Sequence, residues 1–432
     1  MEGGSHGIVT SRSGSLVPGL VVHKYGGTSV GDLERIRKVA TRVQRAVQHG
    51  YKVAVTVSAM GHTTDRLVAT ARELHARPDR RELDMLMATG EQVSIALLSL
   101  ALQDQGVRAR SLTGAQAGFL TDGAFGSARI LQVDPAPLVR TLEQVAVAVI
   151  AGFQGSDANG ELTTLGRGGS DTTAVAVAAA LGVEECQIFT DTDGVYTTDP
   201  HLIPSATRLE RIDYDEMLEL AALGAKVLHP RSVWYARRYG VRIHVRSSFS
   251  FRDGTIVSAL PRAQEAAMKT DRPVTGVAID TEHARIDVIG VPDVPGVAAR
   301  IFSALGAANV NVDMIIQGVP GAGNSRQQMS FTVPRDLAAE AVDVVRPVLA
   351  EVGGGEVRAD EAIAKLSIVG VAIGSTPGLA GRLFDAVASV GANIEMITTS
   401  EVRISVVIAK RFAENALAAV HEAFGLGRNG PT

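Results

Sequence analysis

Apolar, strand-like runs alternate with amphipathic, helix-like stretches from Leu20 to about Ser258. Strands separated by helices pair in parallel and leave both faces of their sheet to be covered, so the alternation predicts a mostly parallel α/β sheet between helices. The predicted strands are Leu20–Lys24, Val53–Ser58, Ala146–Phe153, Cys186–Asp191 and Val241–Arg246. The predicted helices are Asp32–Gln48, Thr64–Leu74, Glu82–Gln103, Pro135–Val145, Asp171–Leu181, Tyr214–Leu223 and Lys226–Tyr239.

An internal repeat follows a polar stretch, Pro261–Pro273. Each copy has a strand, a Pro-Gly turn, a helix and a second strand, and the second copy begins about 80 residues after the first. A further strand and helix follow each copy, which predicts two small ferredoxin-like βαββαβ domains. The predicted boundaries are a flexible tail or tag remnant over 1–19, an α/β domain over 20–260, a linker over 261–273, and repeat domains over 274–352 and 360–427.

Composition limits the class of protein and its partners. The chain has 432 residues, is 46% hydrophobic and carries a formal net charge of −4, which argues against a main role on nucleic acid or an anionic membrane. We expect no segment apolar for the ~18 residues that a membrane helix needs. The single cysteine, Cys186, excludes an internal disulfide and favours a reducing, cytoplasmic location.

The clearest candidate ligand site follows the first predicted strand. The strand runs into Lys24, and Gly26, Gly27, Thr28 and Ser29 follow before a helix-like stretch. Glycines let main-chain amides approach an anion, and a lysine adds a full charge, so the pattern suits a phosphate. It is not a Walker loop, because the lysine precedes the glycines. An ordinary turn with an exposed lysine explains this segment equally well.

Four further segments carry candidate chemistry, three of them where predicted parallel strands end and one, Gly224–Pro230, on a predicted helix. The glycine-rich Gly166–Ser170 fits either an anion cradle or a flexible turn whose Ser170 or Asp171 caps a helix. In Thr190–Pro200, the carboxylates of Asp191, Asp193 and Asp199 fit either metal ligands or plain turns. Glu91 fits either a ligand contact or a charge favourable to the start of a helix. The remaining segment is Val57–Gly61.

Taken in order, residues 24–30, 166–171, 190–200 and 224–230 resemble the signatures of the aspartokinase family. The resemblance covers Val21–Phe424, including the repeat, which is similar to the paired ACT domains of regulated aspartokinases. It implies an amino acid kinase fold that transfers the γ-phosphoryl group of ATP, carried with Mg²⁺, to the side-chain carboxylate of L-aspartate. The product, 4-phospho-L-aspartate, leads towards lysine, threonine and methionine.

The resemblance also implies which residues form the catalytic site. The catalytic set is Lys24, Asp171 and Lys226. The ATP-binding set is Lys24, Tyr25, Gly26, Gly27, Ser58, Ser170, Thr190, Asp191, Tyr196, Asp199 and Lys226. The aspartate-binding set is Thr63, Glu91, Arg167, Gly168, Gly169 and Ser170. Because a carboxylate with a pKa of about 4 is already ionised, we expect Asp171 to orient Lys24 or Ser170 rather than act as a base. No protein metal ligands are implied, since phosphates and water hold most of the Mg²⁺.

The repeat implies feedback control by threonine, lysine or both. The implied effector contacts are Asp293, Gly296, Val297, Asn311, Asp313, Gln317, Asn393, Ile394, Thr399 and Glu401. Asn311 and Asn393 could instead only close turns. ACT pairing implies a homodimer or a higher oligomer, and Met268 offers an internal start for a regulatory subunit in an α2β2 assembly. Two other functions stay open, a kinase for another acceptor and an inactive amino-acid sensor.

One position departs from the family pattern. Aspartokinases usually continue Asp-Pro-Arg where this chain has Asp199-Pro200-His201, and that arginine contacts nucleotide phosphate in the family. We expect His201 to be a weaker, pH-dependent donor, or Arg208 to replace it.

Overall fold

The computed structural model describes residues 15–224, 227–260, 273–318, 326–371 and 373–427. They form two compact units. The N-terminal unit is the chain up to 260 without 197–207, and the C-terminal unit is 197–207 together with the chain from 273.

The elements of the N-terminal unit include the predicted strands and helices with small shifts at their ends. Its strands are β1 Leu20–Tyr25, β2 Lys52–Val57, β3 Ala109–Leu112, β4 Phe119–Thr121, β5 Ile130–Val133, β6 Val147–Ala151, β7 Gln154–Ser156, β8 Leu162–Thr164, β9 Glu185–Thr190, β10 Arg211–Ile212, β11 Arg242–Ser247 and β12 Thr255–Val257. Its helices are α1 Leu33–Gln48, α2 Thr63–Leu74, α3 Arg80–Asp104, α4 Ala136–Gln144, α5 Gly169–Ala180, α6 Tyr214–Ala222 and α7 Pro230–Tyr239.

An eight-stranded sheet organises this unit, in the order β10-β12-β11-β9-β1-β2-β6-β3. All its pairs are parallel except that between β11 and β12, which confirms the predicted fold class. Alternate residues of β2, such as Val53 and Val55, pack with α1 and α3 in one core. Helix α5 is buried along its whole length and contacts β1 and β2.

A second, four-stranded sheet was not anticipated from the sequence. It has the order β5-β4-β7-β8, and its strands have only three or four residues each. Such strands are too short to show a period of two above the surrounding polar residues. Strand β8 matters for the site because its last residue, Thr164, leads directly into Gly166–Ser170.

Helix α3 corrects the expectation that no segment could span a membrane. By length and composition it is the one helix in the described ranges that could do so. Half of its apolar window is nevertheless buried inside the protein, and residues such as Leu98 and Leu102 are fully buried in the core. This burial is typical of the core helix of a folded domain.

The C-terminal unit contains two similar four-stranded sheets with helices. Its strands are β13 Gly276–Asp280, β14 His283–Pro292, β15 Ile315–Gln317, β16 Arg326–Pro334, β17 Glu356–Asp360, β18 Ile363–Val369, β19 Ile394–Thr399 and β20 Arg403–Ala409. Its helices are α8 Val297–Ala307, α9 Ala338–Glu351, α10 Leu379–Ser389 and α11 Ala413–Ala423.

The outer strands of the two sheets do not follow the predicted domain boundaries. The first sheet has the order β15-β16-β14-β17, and the second has the matching order β19-β20-β18-β13. Strand β13, predicted within the first repeat domain, therefore completes the second sheet by pairing with β18. Strand β17, predicted between the domains, completes the first sheet. Pairing in each case covers an edge that would otherwise be exposed.

The ends of the predicted catalytic domain also differ from expectation. Within the predicted tail, the apolar Val17 side chain is buried, and the Leu16 amide donates to the Leu181 carbonyl at 2.9 Å. Residues 1–14, the linker residues 261–272 and Met268 lie outside the described residues. Segment Thr197–Thr207, predicted within the catalytic domain, groups with the C-terminal unit.

Candidate functional site

Lys24 and Asp171 form a buried ion pair between strand β1 and helix α5. Lys24 lies near the end of β1, and Asp171 lies in the first turn of α5, where the helix dipole favours a negative charge. The Lys24 Nζ lies 2.5 Å from Asp171 Oδ1, and the side chains are only 10% and 12% exposed. The contact expected between these residues is therefore present, and it fixes the ammonium at the carboxyl end of β1.

The two glycines after β1 bring the β1 and β2 turns together. A Cβ on Gly27 would lie 2.9 Å from the Ala59 carbonyl oxygen, so a larger residue does not fit there. The Gly61 amide donates to the Gly27 carbonyl at 3.0 Å. The Gly26 amide already donates to the Phe189 carbonyl at 3.4 Å, whereas Gly27 begins a short 3₁₀ helix and its N–H has no acceptor within that helix. Gly27 is thus the better amide donor for an anion beside Lys24.

The predicted ATP contact at Tyr25 cannot come from its hydroxyl group. Its side chain is fully buried and stacked on Phe189, with ring centroids 4.7 Å apart. A ligand contact at Tyr25 would therefore have to come from its backbone. Ser58, at the carboxyl end of β2, is half-buried, and its amide donates to the Tyr25 carbonyl at 3.2 Å.

Glu91 presents one unpaired carboxylate oxygen beside the turn after β2. Its Oε1 accepts the Ala59 amide at 2.9 Å, whereas the buried Oε2 has no partner among the residues that the structure describes. Burial raises the pKa of Glu91 to about 7. Gly90 permits this approach, because a Cβ there would lie 2.8 Å from the Ala59 Cβ and 3.5 Å from a Thr63 methyl group. Glu91 lies in the middle of α3, so the helix-start interpretation is wrong.

The glycine-rich segment forms the turn into α5. Helix α5 begins at Gly169, and its N-cap is Gly168 with φ +70°, so the expectation that Ser170 or Asp171 caps the helix is wrong. Ser170 is buried against Gly152, where a Cβ would lie 2.7 Å from the serine side chain. Arg167 is exposed, and within the described chain its guanidinium has no hydrogen bond or ion pair. It is therefore available to a ligand.

The aspartates of the third motif bond to protein groups, locally at Asp191 and Asp199 and to the segment after β11 at Asp193. Asp193 accepts the Ser250 hydroxyl at 3.0 Å, Asp191 accepts the Thr190 hydroxyl at 3.1 Å, and Asp199 accepts the His201 amide at 2.9 Å. These contacts fit the turn interpretation. Among the residues with described positions, no group of three or more His, Cys, Asp or Glu is placed to hold a metal ion. Tyr196 is half-buried, and its backbone pairs with that of Arg208 in an isolated antiparallel β-bridge.

The last motif is not helical as expected. Helix α6 ends at Ala222 and α7 begins at Pro230, so Gly224 and residues 227–229 lie in a turn between helices. Lys226, predicted to contact ATP, lies outside the described residues. His201, which stands where aspartokinases usually have an arginine, is exposed. The guanidinium of Arg208, the possible replacement, donates to the Gly254 carbonyl at 2.9 Å.

Some predicted effector residues have structural counterparts in the other repeat, and the counterpart of Gly296 is Gly378, which was not predicted. Gly296 and Gly378 have φ of +99° and +88° and cap α8 and α10 respectively. Asn311 and Asn393 precede the strands β15 and β19 and are exposed. The other predicted contacts are Asp293, Val297, Gln317, Ile394, Thr399 and Glu401, of which Val297 is buried in the first core and Ile394 is half-buried.

Asp313 differs from the other effector candidates because it already has a cationic partner. Its Oδ2 lies 2.5 Å from the Nζ of Lys365, whose side chain is only 3% exposed. Although burial alone would raise the pKa of Asp313, the Lys365 charge lowers it. The sequence analysis missed Lys365, and the available signal was a charge within the buried strand Ile363–Val369.

Two sequence-family models cover most of the chain. Residues 19–247 match the amino acid kinase family, and residues 286–347 and 366–424 match the ACT domain. These ranges agree with the parallel α/β unit and the repeated sheets.

Full-length relatives and solved structures are more specific. An aspartokinase of Thermus thermophilus is 60% identical over 409 residues, which are 95% of this chain and 99% of that protein. An aspartokinase of Mycolicibacterium smegmatis is 47% identical over 94% of this chain and 96% of its own. The structure of E. coli aspartokinase III in complex with aspartate and ADP has a TM-score of 0.75 and 25% identity, over 94% of this chain and 99% of that chain. The Lys24–Asp171 pair and the glycine turns lie in the segments that resemble the aspartokinase signatures. This chain belongs to the aspartokinases, kinases of the amino acid kinase family that carry ACT domains.

Proposed function

We propose that the chain transfers the γ-phosphoryl group of ATP to the side-chain carboxylate of L-aspartate, giving 4-phospho-L-aspartate. The observation that carries the proposal is the buried Lys24–Asp171 pair beside the Gly27 turn, at the carboxyl end of the parallel sheet. Open α/β sheets bind ligands at this edge. The name of the E. coli relative, solved with aspartate and ADP, supports the same pair of ligands.

In this mechanism, positioning and charge do most of the work. The attacking carboxylate is ionised near neutral pH, so the reaction needs no strong base. Lys24 offsets the charge on the transferring phosphoryl group, and the Gly27 amide donates to the same group. Asp171 holds the ammonium group in place. Lys226 contacts ATP phosphates, and Mg²⁺ accompanies ATP, held mostly by phosphate and water oxygens.

The amino-acid end of aspartate is recognised by two charged side chains. Arg167, exposed and unpaired among the described contacts, binds the α-carboxylate with two parallel N–H groups. The free Oε2 of Glu91 pairs with the α-ammonium group. Thr63, beside Glu91, and Gly168, Gly169 and Ser170, beside Arg167, complete this end of the site. The half-buried Ser58, Thr190 and Tyr196 and the exposed Asp191 and Asp199 belong to the nucleotide end.

Trapping the acyl phosphate with hydroxylamine tests the proposal. The full chain is incubated with ATP, Mg²⁺ and hydroxylamine, and with aspartate, glutamate or no acceptor. We expect hydroxamate with aspartate only. Hydroxamate with glutamate alone would indicate a kinase for another acceptor, and none with any acceptor would indicate an amino-acid sensor.

The ACT repeats supply feedback control in this proposal. Threonine, lysine or both bind at the predicted effector contacts and lower catalytic activity, as expected for end products of a route to lysine, threonine and methionine. The E. coli relative has been solved with lysine and aspartate, which supports an amino-acid effector. Inhibition measured with each amino acid alone and with both together tests this part, and no inhibition in any combination would exclude it.

Assembly and location complete the proposal. The ACT repeats pair into at least a homodimer, and translation from Met268 gives a separate regulatory subunit in an α2β2 assembly. The enzyme works in the cytoplasm. Light scattering on the purified full chain, and on the chain coexpressed with residues 268–432, tests the two assemblies.

A further inference from the structure

Helix α3 buries two carboxylates on one face. Asp84 and Glu91 are seven residues apart, which is almost two helical turns, so both point to the same side about 10 Å apart along the axis. Glu91 has a role in the proposed function, and Asp84 has none. Asp84 is nevertheless fully buried.

The Asp84 carboxylate binds the start of the Arg167 turn. Its Oδ1 accepts the Thr164 hydroxyl at 2.6 Å, and its Oδ2 accepts the Thr164 amide at 2.8 Å and the Gly126 amide at 2.9 Å. Thr164 is the last residue of β8, and Arg167 follows three positions later. The Gly126 turn also lies against Gly166, where a Cβ would lie 3.2 Å from the Gly126 carbonyl oxygen. Asp84 therefore holds two backbone segments, one at Thr164 that leads into the turn and one at Gly126 that lies against it.

Helix α7 holds the other end of the same turn. The His229 ring occupies the space beside Gly168, where a Cβ would lie 2.1 Å from a ring atom. The Arg231 guanidinium donates to the Leu165 carbonyl. With both ends of the turn held by side chains from two helices, Arg167 is the residue left exposed to solvent.

A carboxylate suits the Asp84 position better than a neutral amide. Burying a charge is costly, and among the described contacts Asp84 has no cationic partner. Its cost is offset by three donors, and hydrogen bonds to an ionised acceptor are shorter and about twice as strong as neutral ones. An asparagine of the same shape can accept the two amides with its oxygen and donate its NH₂ to the Thr164 hydroxyl, but it removes the negative charge that strengthens all three hydrogen bonds.

We propose that Asp84 is a positioning residue for aspartate recognition. Asp84 and Glu91 both lie on α3, and Asp84 holds the Arg167 turn through Thr164. Helix α3 thereby sets the distance between Arg167 and Glu91 to suit the α-carboxylate and the α-ammonium group of one aspartate. The inference rests on the proposed function, because it assumes that Arg167 and Glu91 bind those two groups. It adds a residue that touches neither substrate.

Steady-state kinetics of Asp84→Asn test the inference. We expect the KM for aspartate to rise about tenfold, as the change from charged to neutral hydrogen bonds at three donors predicts, with the KM for ATP within twofold of wild type. Calorimetric titration of aspartate should show the same fold-change in Kd. Thr164→Val, which lacks the hydroxyl, should also raise the KM, and Thr164→Ser should restore it.

The matched control is Asp79→Asn on the same helix. Asp79 is the N-cap of α3 and accepts the Arg81 and Glu82 amides. Asparagine caps a helix as well as aspartate, so this variant removes a negative charge from the same helix without affecting the turn. We expect a Tm close to that of wild type and an unchanged KM for aspartate.

Three results would overturn the inference without touching the proposed function. They are an aspartate KM and Kd within twofold of wild type in Asp84→Asn, an equal rise in the Asp79→Asn control, or equal KM values in the two Thr164 variants. The Thr164 pair decides the question if Asp84→Asn does not fold. Failure of the wild type to form aspartyl hydroxamate would instead overturn the proposed function.

Discussion

Burial gives each charged side chain of the site a different electrostatic state. Lys24 lies beside Asp171, so its charge is compensated before any substrate binds. Glu91 accepts the Ala59 amide and forms no ion pair with a described residue, so burial favours its protonated form. Arg167 stays in solvent. The site therefore has one compensated charge, one that depends on pH and one that is exposed, and the first two are tested below.

Replacing Lys24 tests the fixed charge. We expect Lys24→Met to lower kcat on the order of 10³-fold, because the charge on the transferring phosphoryl group is no longer offset, while the apolar stem is kept. Circular dichroism should show a folded protein. Lys52→Met is the control, since Lys52 is a half-buried lysine at the start of β2 that donates to the Leu142 carbonyl. Turnover near the wild-type value in Lys24→Met would refute its role.

Glu91 should make both stability and aspartate binding depend on pH. Its pKa is raised from 4.5 to about 7, so the folded state binds the proton more tightly than the unfolded state. Its contribution to stability is present below pH 4.5 and is lost as the pH rises to about 7, at a cost of about 3 kcal/mol. Urea denaturation of Glu91→Gln should lack this loss and show a more stable protein than wild type at pH 8.

The ionisation of Glu91 that lowers stability should strengthen aspartate binding. Pairing with the α-ammonium group needs the ionised carboxylate, so kcat/KM for aspartate should rise with pH through about 7 in the free enzyme. In Glu91→Gln this rise should disappear and the KM for aspartate should be high at every pH. A wild-type profile that is flat between pH 6 and 8 would contradict both parts.

At the scale of elements, the site depends on turns that only particular residues permit. Gly168 combines a left-handed backbone with contact to His229, whereas Gly160, in the hairpin between β7 and β8, has φ +82° and nothing within 4 Å of a Cβ. We expect Gly160→Ala to lose about 1 kcal/mol from backbone strain alone. Gly168→Ala should lose about 3 kcal/mol, since overpacking against the ring adds to the strain. Equal losses in urea denaturation would show that His229 does not constrain the turn.

The elements also show which features a sequence can predict. Strands β1, β2, β6, β9 and β11 are predictable because their apolar runs are long. Gly26 and Gly27 are predictable as an anion site only together with Lys24, because a glycine turn alone has other uses. Strands β4, β7 and β8 are too short to show a pattern. The position of Asp84 depends on contacts with residues 42 and 80 positions away, which no local pattern contains.

At the scale of the whole molecule, chain order and structural grouping differ. Strand β13 comes before both repeats but completes the second sheet, so the first repeat is inserted between two parts of the second. Segment Thr197–Thr207 leaves the N-terminal unit and returns to it at Arg208. A motif predicted to frame the nucleotide, residues 190–200, is therefore covalently shared between the two units. Sequence boundaries alone would have assigned it to one.

This shared segment is the place to test the proposed feedback. The Thr197 hydroxyl is buried within the C-terminal unit, 3.0 Å from His421 Nε2 and 3.3 Å from the Leu426 carbonyl, and its backbone carbonyl accepts the Val277 amide at 2.7 Å. Without this hydroxyl, the His421 ring and the Leu426 carbonyl each lose a hydrogen-bond partner, which lowers the free energy of unfolding by about 1–3 kcal/mol. We expect Thr197→Val, in the full chain, to weaken inhibition by the amino acid that inhibits the wild type.

The size of the coupling free energy separates uncoupling from lost effector binding. Calorimetry should give the same effector Kd for Thr197→Val as for wild type, because none of the predicted effector contacts lies in 197–207. Thr70→Val, an exposed threonine of α2 that donates only to the Arg66 carbonyl, is the control and should leave inhibition unchanged. Full inhibition in Thr197→Val would mean that the segment does not carry the signal. A shorter chain ending near Leu260 cannot replace this experiment, because it removes the partners of Thr197 together with the effector sites.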